Sequence, residues 1–136
     1  MTDDFAITIY HNPDCGTSRN TLAMIEAAGY QPTIVDYRAV GWKRELLERL
    51  VDALAVRPRD LLREKGTPAA ELGLLDPATS DDAILDAMIA HPILVNRPIV
   101  VTPRGTRLCR PSEEVLALLD RLPEHFTKED GEVVRP

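Results

Sequence analysis

Cysteine is scarce in this chain: Cys15 and Cys109 are the only two in 136 residues, and they stand far apart. That excludes a structural disulfide framework. With no signal-peptide pattern at the start, a cytoplasmic, reducing location is expected. Histidine numbers three, and neither His91 nor His125 has metal-ligand spacing with a cysteine, so no metal site is expected. Long apolar runs are missing as well. The longest, Pro92 to Val101, is broken by Asn96 and Arg97 and falls well short of the roughly 20 residues that span a bilayer. Nor is there a basic excess: 16 Lys and Arg face 22 Asp and Glu, a net charge of -6. General binding to nucleic acid or to an anionic membrane is therefore disfavoured, although a local anion pocket needs only a few converging arginines. Repeats and low-complexity segments are absent, and the length suits one domain over residues 1–136, a monomer with a single core.

What is present organises around His11-Asn12-Pro13-Asp14-Cys15-Gly16-Thr17-Ser18. Before it, Phe5, Ile7 and Ile9 alternate with Ala6, Thr8 and Tyr10, the period of a strand. After it, Thr17 and Ser18 are helix-starting residues, Leu22, Ile25 and Ala28 recur at helical spacing, and Gly29 is the stop. Cys15 thus falls at a strand-to-helix turn, where the amides of Gly16, Thr17 and Ser18 can face it and the positive helix end favours its thiolate. The same amides suit an oxyanion. Two neighbours act in opposite directions: His11 offers positive charge across the turn, and Asp14 places a negative charge beside the thiol, raising its pKa.

Further along, Pro32 to Tyr37 reads as a second strand, parallel to the first through a right-handed crossover. Leu46, Leu47, Leu50, Val51 and Leu54 share one face of an amphipathic helix. Pro58 suits the start of a short helix with Arg63 near its end. Residues 66–75 read as loop with at most one helical turn. Thr79-Ser80-Asp81-Asp82 then matches a capping box before a helix carrying Ile84, Leu85, Met88 and Ile89, which stops before Pro92. Ile99 to Val101 and Thr106 to Cys109 form an antiparallel hairpin around Pro103-Arg104-Gly105. Pro111 opens a last helix with Val115, Leu118, Leu119 and Leu122 on one face, ended by Pro123, and the polar tail 124–136 is expected as loosely packed coil. This order is α/β: a thioredoxin-like mixed sheet, βαβ then ββα, with a helical insertion over about 43–91.

In that fold a redox pair would be Cys-x-x-Cys, but the partner position here is Ser18, so Cys15 turns over only with a thiol from outside. A cysteine phosphatase loop needs an arginine six positions after its cysteine. That position is Thr21, and the nearest arginine is Arg19.

HNPDCGTSRNTL around Cys15, LLR ending at Arg63, HPILVNRPIVVTP around Arg97, GTRLCRPSE around Arg110 and FTKEDGE near the end together closely resemble the glutaredoxin-dependent arsenate reductases, across nearly the whole chain. The resemblance implies Cys15 as nucleophile, His11 as a residue that helps keep the thiol ionised, and Arg63, Arg97 and Arg110 as the groups that bind and stabilise the oxyanion. Guanidinium groups suit that task, being permanently charged planar forks of donors. It also implies arsenate as substrate, no bound cofactor, glutathione as co-substrate and glutaredoxin as partner. A cis proline before the third strand, facing the cysteine, is implied at Pro98.

The sequence departs from the family pattern at Asp14, where a neutral or basic residue is expected, and over Arg38 to Trp42. Arg19, Arg104 and Arg107 read as surface or structural groups, and Cys109 as a buried apolar residue. Two other readings are a Spx-type regulator contacting RNA polymerase and a general glutathione-linked thiol oxidoreductase. Ser18 removes the sensor pair of the first, and three oxyanion arginines are superfluous to the second.

Overall fold

The alternation at the start of the chain becomes a strand, β1 (Thr8–His11), and the helical pattern after Cys15 becomes α1 (Gly16–Ala27). Both belong to a computed structural model that describes residues 5–136. The described chain forms two compact units, one running up to Asp36 and again from Arg97 onward, the other Tyr37–Asn96.

The first unit holds a four-stranded sheet in the order β2-β1-β3-β4, with β2 at Thr33–Asp36, β3 at Ile99–Thr102 and β4 at Gly105–Leu108. β1 pairs in parallel with β2, Ile9 opposite Ile34, and antiparallel with β3, Ile9 opposite Val100. β3 and β4 form the expected hairpin, Thr102 opposite Gly105. Period-two geometry puts Ile9 and His11 on one buried face of β1, and Ile7, just before the strand, is buried too. Under that face lies the core, which includes Met24, Ile25, Tyr30, Val100, Cys109, Val115 and Leu118.

The C-terminal part differs from the sequence reading in two ways. The last helix is a 3-10 run, Ser112–Leu118. The Leu118 carbonyl accepts the Thr102 hydroxyl at 2.8 Å, and Leu119 turns to an extended conformation. Leu122, expected on the buried face, is exposed. The tail is not loose coil but a two-stranded hairpin, β5 (Phe126–Thr127) and β6 (Val133–Val134). It holds because Phe126 and Val134 pack on the core and Lys128 lies 2.7 Å from Glu113.

The second unit contains α2 (Tyr37–Val40), α3 (Arg44–Leu54) and α4 (Asp81–Ala90). The second strand therefore ends one residue earlier than the pattern suggested: Tyr37 opens α2, buried and stacked on Trp42 at 5.0 Å. Ser80 caps α4 by accepting the Ala83 amide at 3.1 Å. Arg44 of α3 reaches Asp82 and Asp86 of α4. Pro58–Leu61 is a 3-10 turn, after which Leu62 pairs with Val95. Among the described residues, no helix is long and apolar enough to cross a membrane.

Candidate active site

Cys15 is the N-cap of α1, in extended conformation (φ -101°, ψ 122°), at the carboxyl end of a central strand where open α/β sheets place their ligands. Its turn is built by its neighbours. Asn12 accepts the Cys15 amide on its carbonyl at 3.0 Å and the Asp14 amide on Oδ1 at 2.9 Å. The Asn12 amide in turn donates to Ser18 Oγ at 3.1 Å. Asn12 and Ser18 are both buried, so these hydrogen bonds close the loop from 12 to 18 on itself.

The thiol itself is buried, 7% exposed. Burial pushes it up, as for any buried acid. Its pKa nevertheless lies below the ordinary thiol value, because the Ser18 amide, the Arg97 charge, the Thr17 amide and an Arg110 N–H all favour the thiolate. The net direction is downward with Asp14 in place, and Asp14 stands in the field of the Arg19 guanidinium.

Arg110 Nη1 lies 3.8 Å from Cys15 Sγ and also donates to the Arg97 carbonyl at 3.1 Å. Arg97 is half-buried and Arg110 exposed. Both precede cis prolines, Pro98 as expected and Pro111 in addition. Gly16 opens α1, and a Cβ there would lie 3.7 Å from both Arg19 Nη2 and Glu129 Oε1. His11 is buried at the end of β1, with Asp36 as its register partner on β2.

Arg63 belongs to the second unit. Its Nε donates to the Lys65 carbonyl at 2.9 Å, and its guanidinium lies over Gly66, which has φ +76° and leaves no room for a larger side chain without displacement. The Arg63 amide donates to the Leu94 carbonyl at 2.7 Å.

Cys109 is fully buried, and burial pushes its thiol up to about 12. Among the described residues no cluster of His, Cys, Asp and Glu could hold a metal ion. Chemically, the first unit offers a thiol with a lowered pKa, two helix-start amides and two guanidinium groups around one sulfur atom, a place for a tetrahedral oxyanion under attack. Asn12 escaped the sequence reading as a contributor, although an Asx turn in Asn-Pro-Asp was the signal for it.

A family model described as the ArsC family matches residues 10–118. An arsenate reductase of Rhizobium meliloti is 60% identical over 129 residues, covering 94% of this chain and 92% of that protein. The arsenate reductase ArsI1 of Synechocystis is 57% identical over 135 residues, covering 98% and 93%. Among solved structures, an arsenate reductase from Vibrio cholerae superposes with a TM-score of 0.82 at 41% identity, over 86% of this chain and 100% of that one.

Proposed function

This chain belongs to the ArsC family, and from that premise we propose that it is an arsenate reductase in which the Cys15 thiolate attacks arsenate. The observation that carries the reading is the environment of Cys15: a thiol at the start of α1 held below its ordinary pKa, with Arg110 against its sulfur. Arsenate is a tetrahedral oxyanion with more than one negative charge near neutrality. Arg97 and Arg110 bind its oxygens together with the amides of Gly16, Thr17 and Ser18, and they balance the charge that grows on oxygen in the transition state. Arg63 joins this set on the strength of the family resemblance alone. His11 supports the ionised thiol on the same ground.

Attack forms an arsenic–sulfur bond and breaks one arsenic–oxygen bond, and the departing oxygen takes up protons and leaves as water. The Cys15 adduct still holds As(V). Reduction requires two electrons from sulfur, hence a second thiol. Ser18 occupies the position of a resolving cysteine, and Cys109 is buried with its thiol pushed up to about 12, so the second thiol comes from outside the chain. Glutathione fits as that co-substrate. As it adds and a sulfur–sulfur bond forms, arsenic takes up the electron pair and leaves as arsenite. Glutaredoxin then resolves the mixed disulfide. No cofactor stays bound, and the whole chain, 1–136, works as one monomeric domain in the cytoplasm, where thiols stay reduced.

The test is NADPH oxidation with glutathione, glutaredoxin and glutathione reductase, with and without arsenate, beside a Cys15→Ser control. Arsenate-dependent turnover that vanishes in the control is expected. Absence of turnover in the unaltered protein, or its survival in Cys15→Ser, would refute the assignment.

A further inference from the structure

The C-terminal hairpin reaches the cysteine turn through one carboxylate. Glu129 accepts from Arg19 Nε at 2.8 Å and from Nη2 at 2.9 Å, a bidentate fork. The third nitrogen, Nη1, donates to the Pro13 carbonyl at 2.8 Å. The Arg19 main-chain amide donates to the Cys15 carbonyl at 3.0 Å. The Arg19 guanidinium therefore holds the carbonyl just before Asp14 while the main-chain bond is the first of α1, and the guanidinium stands within the electrostatic reach of Cys15.

Glu129 is itself held. Its amide donates to Asn20 Oδ1 at 3.0 Å. The hairpin turn is closed by Gly131 to the Lys128 carbonyl at 2.9 Å and by Lys128 to the Glu132 carbonyl at 2.8 Å, with Gly131 at φ +93°. Lys128 anchors the turn on Glu113. A long arginine side chain on the surface samples many rotamers; the fork on Glu129 selects the one that presents Nη1 to Pro13.

We propose that Glu129 is a positioning residue for Cys15: by fixing the Arg19 guanidinium on the Pro13 carbonyl, the C-terminal hairpin keeps the cysteine turn in the geometry that aims the Thr17 and Ser18 amides at Sγ. This rests on Cys15 being the nucleophile, as proposed above, but its test needs no arsenate.

The sign of the effect separates positioning from electrostatics. Glu129 is an anion near a developing thiolate, so its bare removal would favour ionisation and speed alkylation. Loosening the turn does the opposite, because the amides that stabilise the thiolate drift away. Iodoacetamide labelling of Cys15 is measured against pH in the full chain for the unaltered protein, Glu129→Ala, Glu129→Asp and Arg19→Ala, with thermal melts alongside.

The proposal expects Glu129→Ala to raise the labelling midpoint and to slow labelling at neutral pH by about threefold to tenfold. Glu129→Asp, which keeps a carboxylate, should recover part of the rate. A double variant, Arg19→Ala with Glu129→Ala, should be no slower than Arg19→Ala alone, since the two residues act as one unit. A folded Glu129→Ala whose midpoint is unchanged or lower overturns the proposal. If that variant melts too low to label, Glu129→Gln takes its place with the same two outcomes. Loss of arsenate turnover in the unaltered protein would refute the proposed function while leaving this labelling comparison intact.

Discussion

Replacing Arg110 with alanine removes the guanidinium whose Nη1 sits 3.8 Å from Cys15 Sγ. Two unit charges about 4 Å apart attract by roughly 1 kcal/mol in water and roughly 4 kcal/mol at an effective dielectric of about 20. Arg110 is exposed, so solvent screening sets its share in holding the thiolate near the lower figure. That is about five- to tenfold in the ionised fraction at neutral pH. The demand grows during reaction, since loss of a donor facing developing oxyanion charge typically costs about 10²–10³ in kcat. Arg110→Ala should therefore slow iodoacetamide labelling of Cys15 near neutrality by about five- to tenfold and lower kcat/KM for arsenate by about a hundredfold or more. Arg110→Lys should restore the labelling rate, because it keeps the charge, but not the turnover, because a point charge cannot replace the planar fork. Labelling and kcat/KM both within about twofold of the unaltered protein would refute the role of Arg110.

Three further outcomes follow from other contacts. Ser18→Ala strips the buried Asn12 amide of its acceptor and should destabilise the fold by about 1–3 kcal/mol in urea titration, with slower Cys15 labelling as the turn relaxes. Burial pushes the Cys109 thiol up to about 12, above its unfolded value of about 8.5, so the stability it contributes is complete below about pH 8.5 and is lost as pH rises toward the folded value. The urea midpoint should fall above about pH 8.5, and Cys109→Ala should flatten that fall. A Cys15→Ser background is needed, because the lowered pKa of Cys15 acts in the opposite sense: its stabilisation is present above the unfolded value and lost as pH falls through the folded one. Arg63→Ala should lower kcat/KM for arsenate by about tenfold or more; unchanged kinetics would remove Arg63 from the oxyanion set.

The strand, turn and helix around Cys15 were legible because the apolar period changes from two to 3.6 across a few residues, and that change locates the cysteine at the junction. Short-range signals of this kind also located the β3–β4 hairpin and the start of α4, although the cap is Ser80 rather than the Thr79 that opens the expected box. Long-range pairings left no such trace. Arg110 meets Cys15 across 95 residues and Glu129 meets Arg19 across 110, and nothing in periodicity or spacing brings either pair together. The arginine came from the family resemblance, and Arg19 was read as a surface group. The tail was misread because β5 and β6 are two residues each, too short to show alternation. Its turn cue, Asp130-Gly131, stood in the sequence. The last helix was overextended to Leu122 because helical spacing cannot reveal that Leu118 gives its carbonyl to Thr102.

The central claim is that Cys15 is a thiolate in an oxyanion cradle. The most direct measurement is the pH dependence of iodoacetamide labelling, resolved by mass spectrometry into Cys15 and Cys109, with and without arsenate. The account expects Cys15 to label with a midpoint below about 8.5, arsenate to protect it, and Cys109 to stay unlabelled in the folded protein. A Cys15 midpoint at or above about 8.5, with no protection by arsenate, would contradict it.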